Sequence, residues 1–175
     1  MKKLLVVVDM QKDFIDGVLG TKEAISIIPN VVRKIKSWDG DIACTIDTHD
    51  DNYLQTNEGK HLPVVHCVKD TDGWRVNRDV YLAICDKQPA HKCFYKNTFG
   101  SLRLMDFIKE NKFDYIEFVG LCTDICVVSN AVLAKAFVPE VQIVVDASCC
   151  AGVTPESHGA ALDTMKMCQI DVVEQ

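Results

Sequence analysis

The sequence has no Cys-x-x-Cys pair among its nine cysteines, which stand singly or as Cys149-Cys150, so nothing indicates a zinc knuckle or a disulfide framework. An odd, scattered set of thiols fits a reducing compartment, where cysteine serves mainly as a small core residue, and a cytoplasmic location is expected. Basic residues are not in excess. The 19 Lys and Arg stand against 25 Asp and Glu, and the net charge of −6 argues against non-specific nucleic-acid binding. No apolar run approaches membrane-spanning length, so no membrane partner is expected. Met1-Lys2-Lys3 before Leu4 to Val8 mimics the start of a signal peptide, but the run is too short and Asp9 interrupts it with no small-residue cleavage site behind. No repeat, low-complexity tract or linker divides the chain, and residues 1–175 are expected to form a single domain.

What is present is an alternation of strand-like and helix-like stretches. Leu4 to Val8 is a continuous β-branched run, which predicts a strand buried on both faces. Further strands are expected at Asp41 to Ile46, His91 to Tyr95, Tyr115 to Val119, Val141 to Val145 and Ile170 to Val173. Helical periodicity covers Thr21 to Trp38, with Pro29 expected to break it or to start its main part. Arg78 to Cys85, Leu102 to Asn111, the stretch reaching about Phe137, and Pro155 to Cys168 are the other helices. Repeated βα units with Val-rich strands imply an α/β fold, a doubly wound parallel sheet with helices on both faces. Thr48 to Trp74 is polar and irregular, and a loop that long inside a compact domain is more often functional than idle.

Ligands bind beyond the carboxyl ends of the strands in such sheets. Asp9, Asp47 and Asp146 are expected to end the first, second and fifth strands, with Lys96 after the third and Cys126 after the fourth. In Gly120-Leu121-Cys122-Thr123-Asp124-Ile125-Cys126-Val127-Val128, Thr123 or Asp124 is placed to cap a helix whose first turn holds Cys126. The positive end of the helix dipole favours a thiolate there, and the same turn offers N–H groups for an oxyanion. Desolvation at the end of an apolar strand would raise the pKa of Asp9 and suit it to general-base work, although a strand-end Asp also serves as a simple helix cap. Lys96 could pair with both Asp9 and a thiolate, with Lys92 as a competing candidate. Asp47, His49 and His66 offer a carboxylate and two imidazoles, a donor set that suits Zn²⁺, Fe²⁺ or Mn²⁺ with positions open for water or substrate. His61, His91 and His158 have no comparable partners and read as ordinary polar residues.

These motifs together resemble the isochorismatase-like cysteine hydrolase superfamily, and most closely its nicotinamidase/pyrazinamidase-related branch. The resemblance rests on Val8-Asp9-Met10-Gln11-Lys12-Asp13-Phe14, Asp47-Thr48-His49, His66-Cys67-Val68, Lys96-Asn97-Thr98-Phe99-Gly100-Ser101 and Gly120-Leu121-Cys122-Thr123-Asp124-Ile125-Cys126-Val127, and it spans nearly the whole chain. It implies a three-layer αβα fold on a six-stranded parallel sheet. It also implies a catalytic Asp9, Lys96 and Cys126 acting through a thioester. Asp47, His49 and His66 become ligands of a divalent metal, Zn²⁺ first, and a cis peptide is expected at Leu121–Cys122. That bond turns the Cys122 N–H toward the oxyanion beside that of Cys126. A nicotinamide ring needs an aromatic wall. Thr48 and Leu62-Pro63-Val64-Val65 stand where family members carry tryptophan, so Phe14 is assigned one side of the wall and Trp74 the other.

The expected activity is deamidation of nicotinamide to nicotinate and ammonia. The alternatives are hydrolysis of another small amide or ureido compound, a catalytically silent binding module on the same fold, and a redox sensor built on Cys122 and Cys126, one helical turn apart. A homo-oligomer, dimer or tetramer, is expected from the habit of the superfamily and from helix faces rich in Val, Ala and Met.

Overall fold

The computed structural model describes residues 1–174. In chain order its elements are β1 (Lys3–Val8), α1 (Lys12–Ile15), α2 (Lys22–Ser37), β2 (Asp41–Asp47), α3 (Asn57–His61), α4 (Arg78–Lys87), β3 (Lys92–Lys96), α5 (Leu102–Asn111), β4 (Tyr115–Leu121), α6 (Val128–Phe137), β5 (Gln142–Ala151), α7 (Pro155–Met167) and β6 (Asp171–Val173). Six strands form one sheet in the order β3-β2-β1-β4-β5-β6, with every pairing parallel. The chain winds outward from β1 to β3, returns to place β4 beside β1, and winds outward the other way. The winding reverses between β1 and β4, and there an open α/β sheet leaves a crevice at the carboxyl ends of its strands. This is the expected doubly wound αβα architecture, and among the described residues no helix is long and apolar enough to cross a membrane.

The central strand shows why the sequence folds this way. Leu4, Val6 and Val8 pack with Leu104 of α5, Ala131 of α6 and Met165 of α7, whereas Leu5 and Val7 pack with Val31 and Ile35 of α2 and Val80 and Ile84 of α4. A strand covered on both faces needs an apolar side chain at every position, which is what the unbroken run supplies. Each helix answers with a stripe, such as Ala24, Ile27, Val31 and Ile35 on α2.

Three expectations need correction. Pro29 neither breaks nor starts α2, which runs through it from Lys22 to Ser37. The hydrogen bond that Pro29 cannot donate would have gone to the carbonyl of Ile25, and both residues lie on the exposed side, where water takes over. The fifth strand is longer than Val141 to Val145 and continues to Ala151, with a register shift against β4 between Phe118 and Gly120. Asp146 is therefore not on the rim. It is fully buried within β5, and Lys34 Nζ reaches both its Oδ2 and Glu117 Oε1 at 2.8 Å. Desolvation of these charges is offset only because they meet.

Gly120 shapes the crevice. Its φ is +116°, and a Cβ there would stand 2.1 Å from the carbonyl oxygen of Val8. No side chain fits so close to a neighbouring backbone, so only glycine lets the end of β4 press against the end of β1.

Candidate active site

Asp9, Asp47 and Lys96 leave the ends of three adjacent strands, and Cys126 follows the fourth. Asp9 departs from β1 with φ +44°, an uncommon conformation for a residue with a side chain and one that concentrates at functional sites. Its carboxylate accepts from Thr45 Oγ1 at 2.7 Å through Oδ1, and its Oδ2 lies 2.6 Å from Lys96 Nζ. The same ammonium sits 3.4 Å from Cys126 Sγ and 3.4 Å from Asp47 Oδ1. Asp9, Lys96 and Cys126 are all buried. Lys92, the competing lysine, is exposed and belongs to no such group.

Burial and charge set the resting protonation of these groups. Burial pushes the Asp9 carboxyl up, Lys96 opposes the shift and Asp47 adds to it, leaving the pKa above the ordinary carboxylate value. Burial works against the Lys96 ammonium, but Asp9, Cys126 and Asp47 outweigh it and hold the proton firmly. Cys126 is raised well above an ordinary thiol, first by burial and then by the charge of Asp9. Burial and Asp9 thus move the thiol in the direction opposite to that expected of a helix end. The expected capping also needs correction. Thr123–Val127 is a π-helical turn ahead of α6 and has no side-chain cap. Thr123 Oγ1 instead meets His158 Nδ1 at 2.8 Å, and Asp124 accepts from the N–H of Val153. The Leu121–Cys122 peptide is cis, as the resemblance implies.

A second cluster adjoins the first through Asp47. Its Oδ2 lies 2.9 Å from His49 Nε2 and 3.6 Å from His66 Nε2. Glu58 Oε1, supplied by α3, lies 3.7 Å from each of the same two nitrogens. No local pattern points to Glu58, since a five-residue helix inside a long polar segment carries no usable periodicity. Tyr53 stands edge-on to both rings, at centroid distances of 4.7 Å and 4.9 Å. His66 Nδ1 faces the Val64 carbonyl at 2.7 Å, which orients Nε2 toward the carboxylates. Burial disfavours a charged Asp47, yet its bonds to His49 and His66 more than offset this and keep it ionised well below the usual range.

The four ligand atoms lie within 4.8 Å of one another. Two imidazoles and two carboxylates converging on one buried point fit a single divalent cation of the Zn²⁺, Fe²⁺ or Mn²⁺ type.

Gln11, also unassigned from the sequence, ties the parts together. Fully buried, its amide nitrogen donates to the carbonyls of Asp47 at 2.8 Å and Trp74 at 2.9 Å, and its oxygen accepts from Asp47 N–H at 2.8 Å. Gln11→Ala would take this partner from the N–H and carbonyl of buried Asp47 and from the carbonyl of half-buried Trp74. An expected loss of about 3 kcal/mol can be read from urea unfolding, and a loss of less than about 1 kcal/mol would mean that water replaces the amide.

Between the two clusters lies a cavity of about 190 Å³, lined in part by Phe14, Leu62, His66, Phe99, Cys122 and Cys126. Phe14 stands where it was expected. Trp74 does not reach this cavity. Its indole donates to Thr48 Oγ1 at 2.9 Å and stacks on Tyr95 in a separate groove, so Phe99 is the second aromatic ring lining the cavity.

A family model described as the Isochorismatase domain matches residues 3–175. The isochorismatase family protein PncA of Bacillus subtilis (strain 168) is 28% identical over 177 residues, covering 93% of each chain. Among solved structures, the nicotinamidase/pyrazinamidase PncA of Bacillus subtilis superposes with a TM-score of 0.86 at 25% identity, covering 99% of this chain and 100% of its own. The pyrazinamidase of Pyrococcus horikoshii in complex with zinc superposes with a TM-score of 0.81 at 25% identity, covering 100% of both chains.

Proposed function

The chain belongs to the isochorismatase family, and from that premise we propose that it is a cysteine amidohydrolase that converts nicotinamide to nicotinate and ammonia. The observation that carries the reading is the meeting of Asp9, Lys96 and Cys126 beside a cavity whose other wall is a cluster of His and carboxylate side chains able to hold a metal ion. The named activities of the similar Bacillus and Pyrococcus structures support it.

Lys96 Nζ bridges the Cys126 thiol and the Asp9 carboxylate, which takes the thiol proton as Sγ attacks the amide carbon. Lys96 stays charged throughout and holds the thiolate and Asp9 in one geometry. The backbone N–H groups of Cys122 and Cys126 face the oxyanion that forms on the carbonyl oxygen. Asp9 then gives its proton to the departing nitrogen, and ammonia leaves a thioester on Cys126. Water, deprotonated by Asp9, cleaves the thioester and restores acid and thiol. Asp47, His49, His66 and Glu58 would hold a divalent ion, Zn²⁺ first, which supplies a coordination point for the pyridine nitrogen.

The cavity lining favours a small aromatic amide over the vinyl ether isochorismate. Phe14 and Phe99 offer ring faces, and among the described lining residues no Arg or Lys waits for a substrate bearing two carboxylates.

The test is ammonia release by the zinc-loaded protein from nicotinamide, from pyrazinamide and from an aliphatic ureide. Turnover confined to the ureide would sink the substrate reading. The acid limb of kcat/KM is expected above the ordinary carboxylate range. Asp9 must be unprotonated to accept the thiol proton, so activity falls as pH drops through its raised pKa. A limb at the ordinary value would argue against Asp9 as the base.

A further inference from the structure

On the face of the sheet that packs against α2 and α4, Cys44 of β2 and Cys93 of β3 are direct partners in register. Their side chains emerge together, and the two Sγ atoms stand 2.7 Å apart. His91, just ahead of β3, joins them, and one ligand atom from each of the three residues lies within 4.8 Å of the others. The imidazole is oriented from behind, because Nδ1 donates to the Gln88 carbonyl at 3.0 Å and Nε2 is left carrying the lone pair. Gln88 is itself fixed by the Ile42 N–H, which donates to its Oε1 at 2.7 Å. An imidazole held by a backbone carbonyl on one nitrogen keeps the other free for a metal, the arrangement that supports a ligand. The three residues line a groove of about 710 Å³ that also contains Trp74, Tyr81 and Tyr95, so an ion reaches them from solvent. None of them belongs to the Asp9, Lys96 and Cys126 group or to the Asp47 cluster.

We propose that Cys44, His91 and Cys93 form a second metal site, selective for a thiophilic ion of the zinc or copper(I) type. Two thiolates and an imidazole disfavour the oxygen-seeking ions Mg²⁺ and Ca²⁺, and with three protein ligands a fourth position faces the groove. On binding, the two thiol protons pass to solvent and two metal–sulfur bonds form, with no change of oxidation state. Bonds of about 2.3 Å to a common ion require the sulfurs to part by about 1 Å. Cys93 is half-buried on an edge strand, where such a movement meets little resistance. The site would pin β3 to β2 three residues before the Asp47 and Lys96 pair in the same register. It stands whether or not nicotinamide is the substrate.

The experiment is an anaerobic titration of the whole, fully reduced protein with Co²⁺. Wild type is expected to take up two equivalents and to show near-ultraviolet thiolate-to-cobalt charge-transfer absorption. Cys93→Ser and His91→Ala should each take up one equivalent fewer, Cys93→Ser losing most of the absorption. Asp47→Ala should lose the other equivalent and keep the absorption. Circular dichroism of each variant identifies a misfolded one, and the remaining variant then decides. The proposal fails if wild type shows no charge-transfer band, if the band survives undiminished in Cys93→Ser, or if Cys44 and Cys93 are recovered as a disulfide from reduced preparations.

Discussion

Cys126→Ala is expected to lower amide hydrolysis on the order of 10⁴-fold or more while leaving the fold intact, because it removes the atom on which the proposed thioester would form. Asp9→Asn should cost about 10²- to 10⁴-fold by a different route. The amide is nearly isosteric with the carboxylate but accepts no proton from the thiol, and Cys126 is held well above an ordinary thiol pKa by burial. A nucleophile with that resting state depends on its base more than a pre-ionised cysteine would. The double variant should therefore be little worse than Cys126→Ala alone, since both residues serve one step. Ammonia release, with mass spectrometry of the wild type after rapid acid quenching to catch the acyl adduct on Cys126, checks all three. Retention of more than about a tenth of wild-type activity by Cys126→Ala would remove the covalent mechanism.

The sequence was most informative where one side chain answers to one physical demand. An unbroken apolar run from Leu4 to Val8 can only be satisfied between two layers of helices, and it is. Strand ends followed by Asp9, Asp47, Lys96 and Cys126 foretold which residues would meet, because parallel strands all deliver their carboxyl ends to one rim. What the sequence hid depends on where neighbouring groups end up. Pro29 sits harmlessly in α2 because its orphaned carbonyl faces water, a fact no local pattern contains. Asp146 reads as a rim residue until Lys34 of α2 is seen beneath the sheet. Thr123 and Asp124 look like caps, yet the packing of α7 and of the segment after β5 claims both side chains. Residue type alone points to Trp74, whose indole is instead bound to Thr48 and stacked on Tyr95. His91 read as isolated because its partners lie on β2 and β3, one of them far away in sequence.

Glu58 separates a three-ligand metal centre from a four-ligand one, and its substitution should have the second large effect. Asp47→Ala removes the carboxylate that touches both imidazoles and also a partner of Lys96, so metal binding and hydrolysis should both collapse. Glu58→Gln is the sharper change. Glu58 lies at 3.7 Å from both His49 Nε2 and His66 Nε2, and it is more exposed than the other three, so it is the ligand most easily lost without damage to the rest. If it ligates, its substitution should weaken Zn²⁺ binding by more than the roughly 10- to 100-fold that outer-sphere partners contribute. Its burial raises the carboxyl pKa and Asp47 raises it further, so in the absence of a cation these two acids repel each other. A divalent ion between them relieves that repulsion, which is a reason for α3 to bring a second acid to this point at all. Calorimetric titration of chelator-stripped wild type and Glu58→Gln with Zn²⁺, carried out in the Cys93→Ser background so that only this cluster is measured, gives the comparison. Equal affinities would return the centre to Asp47, His49 and His66 and make Glu58 a bystander at the cavity wall.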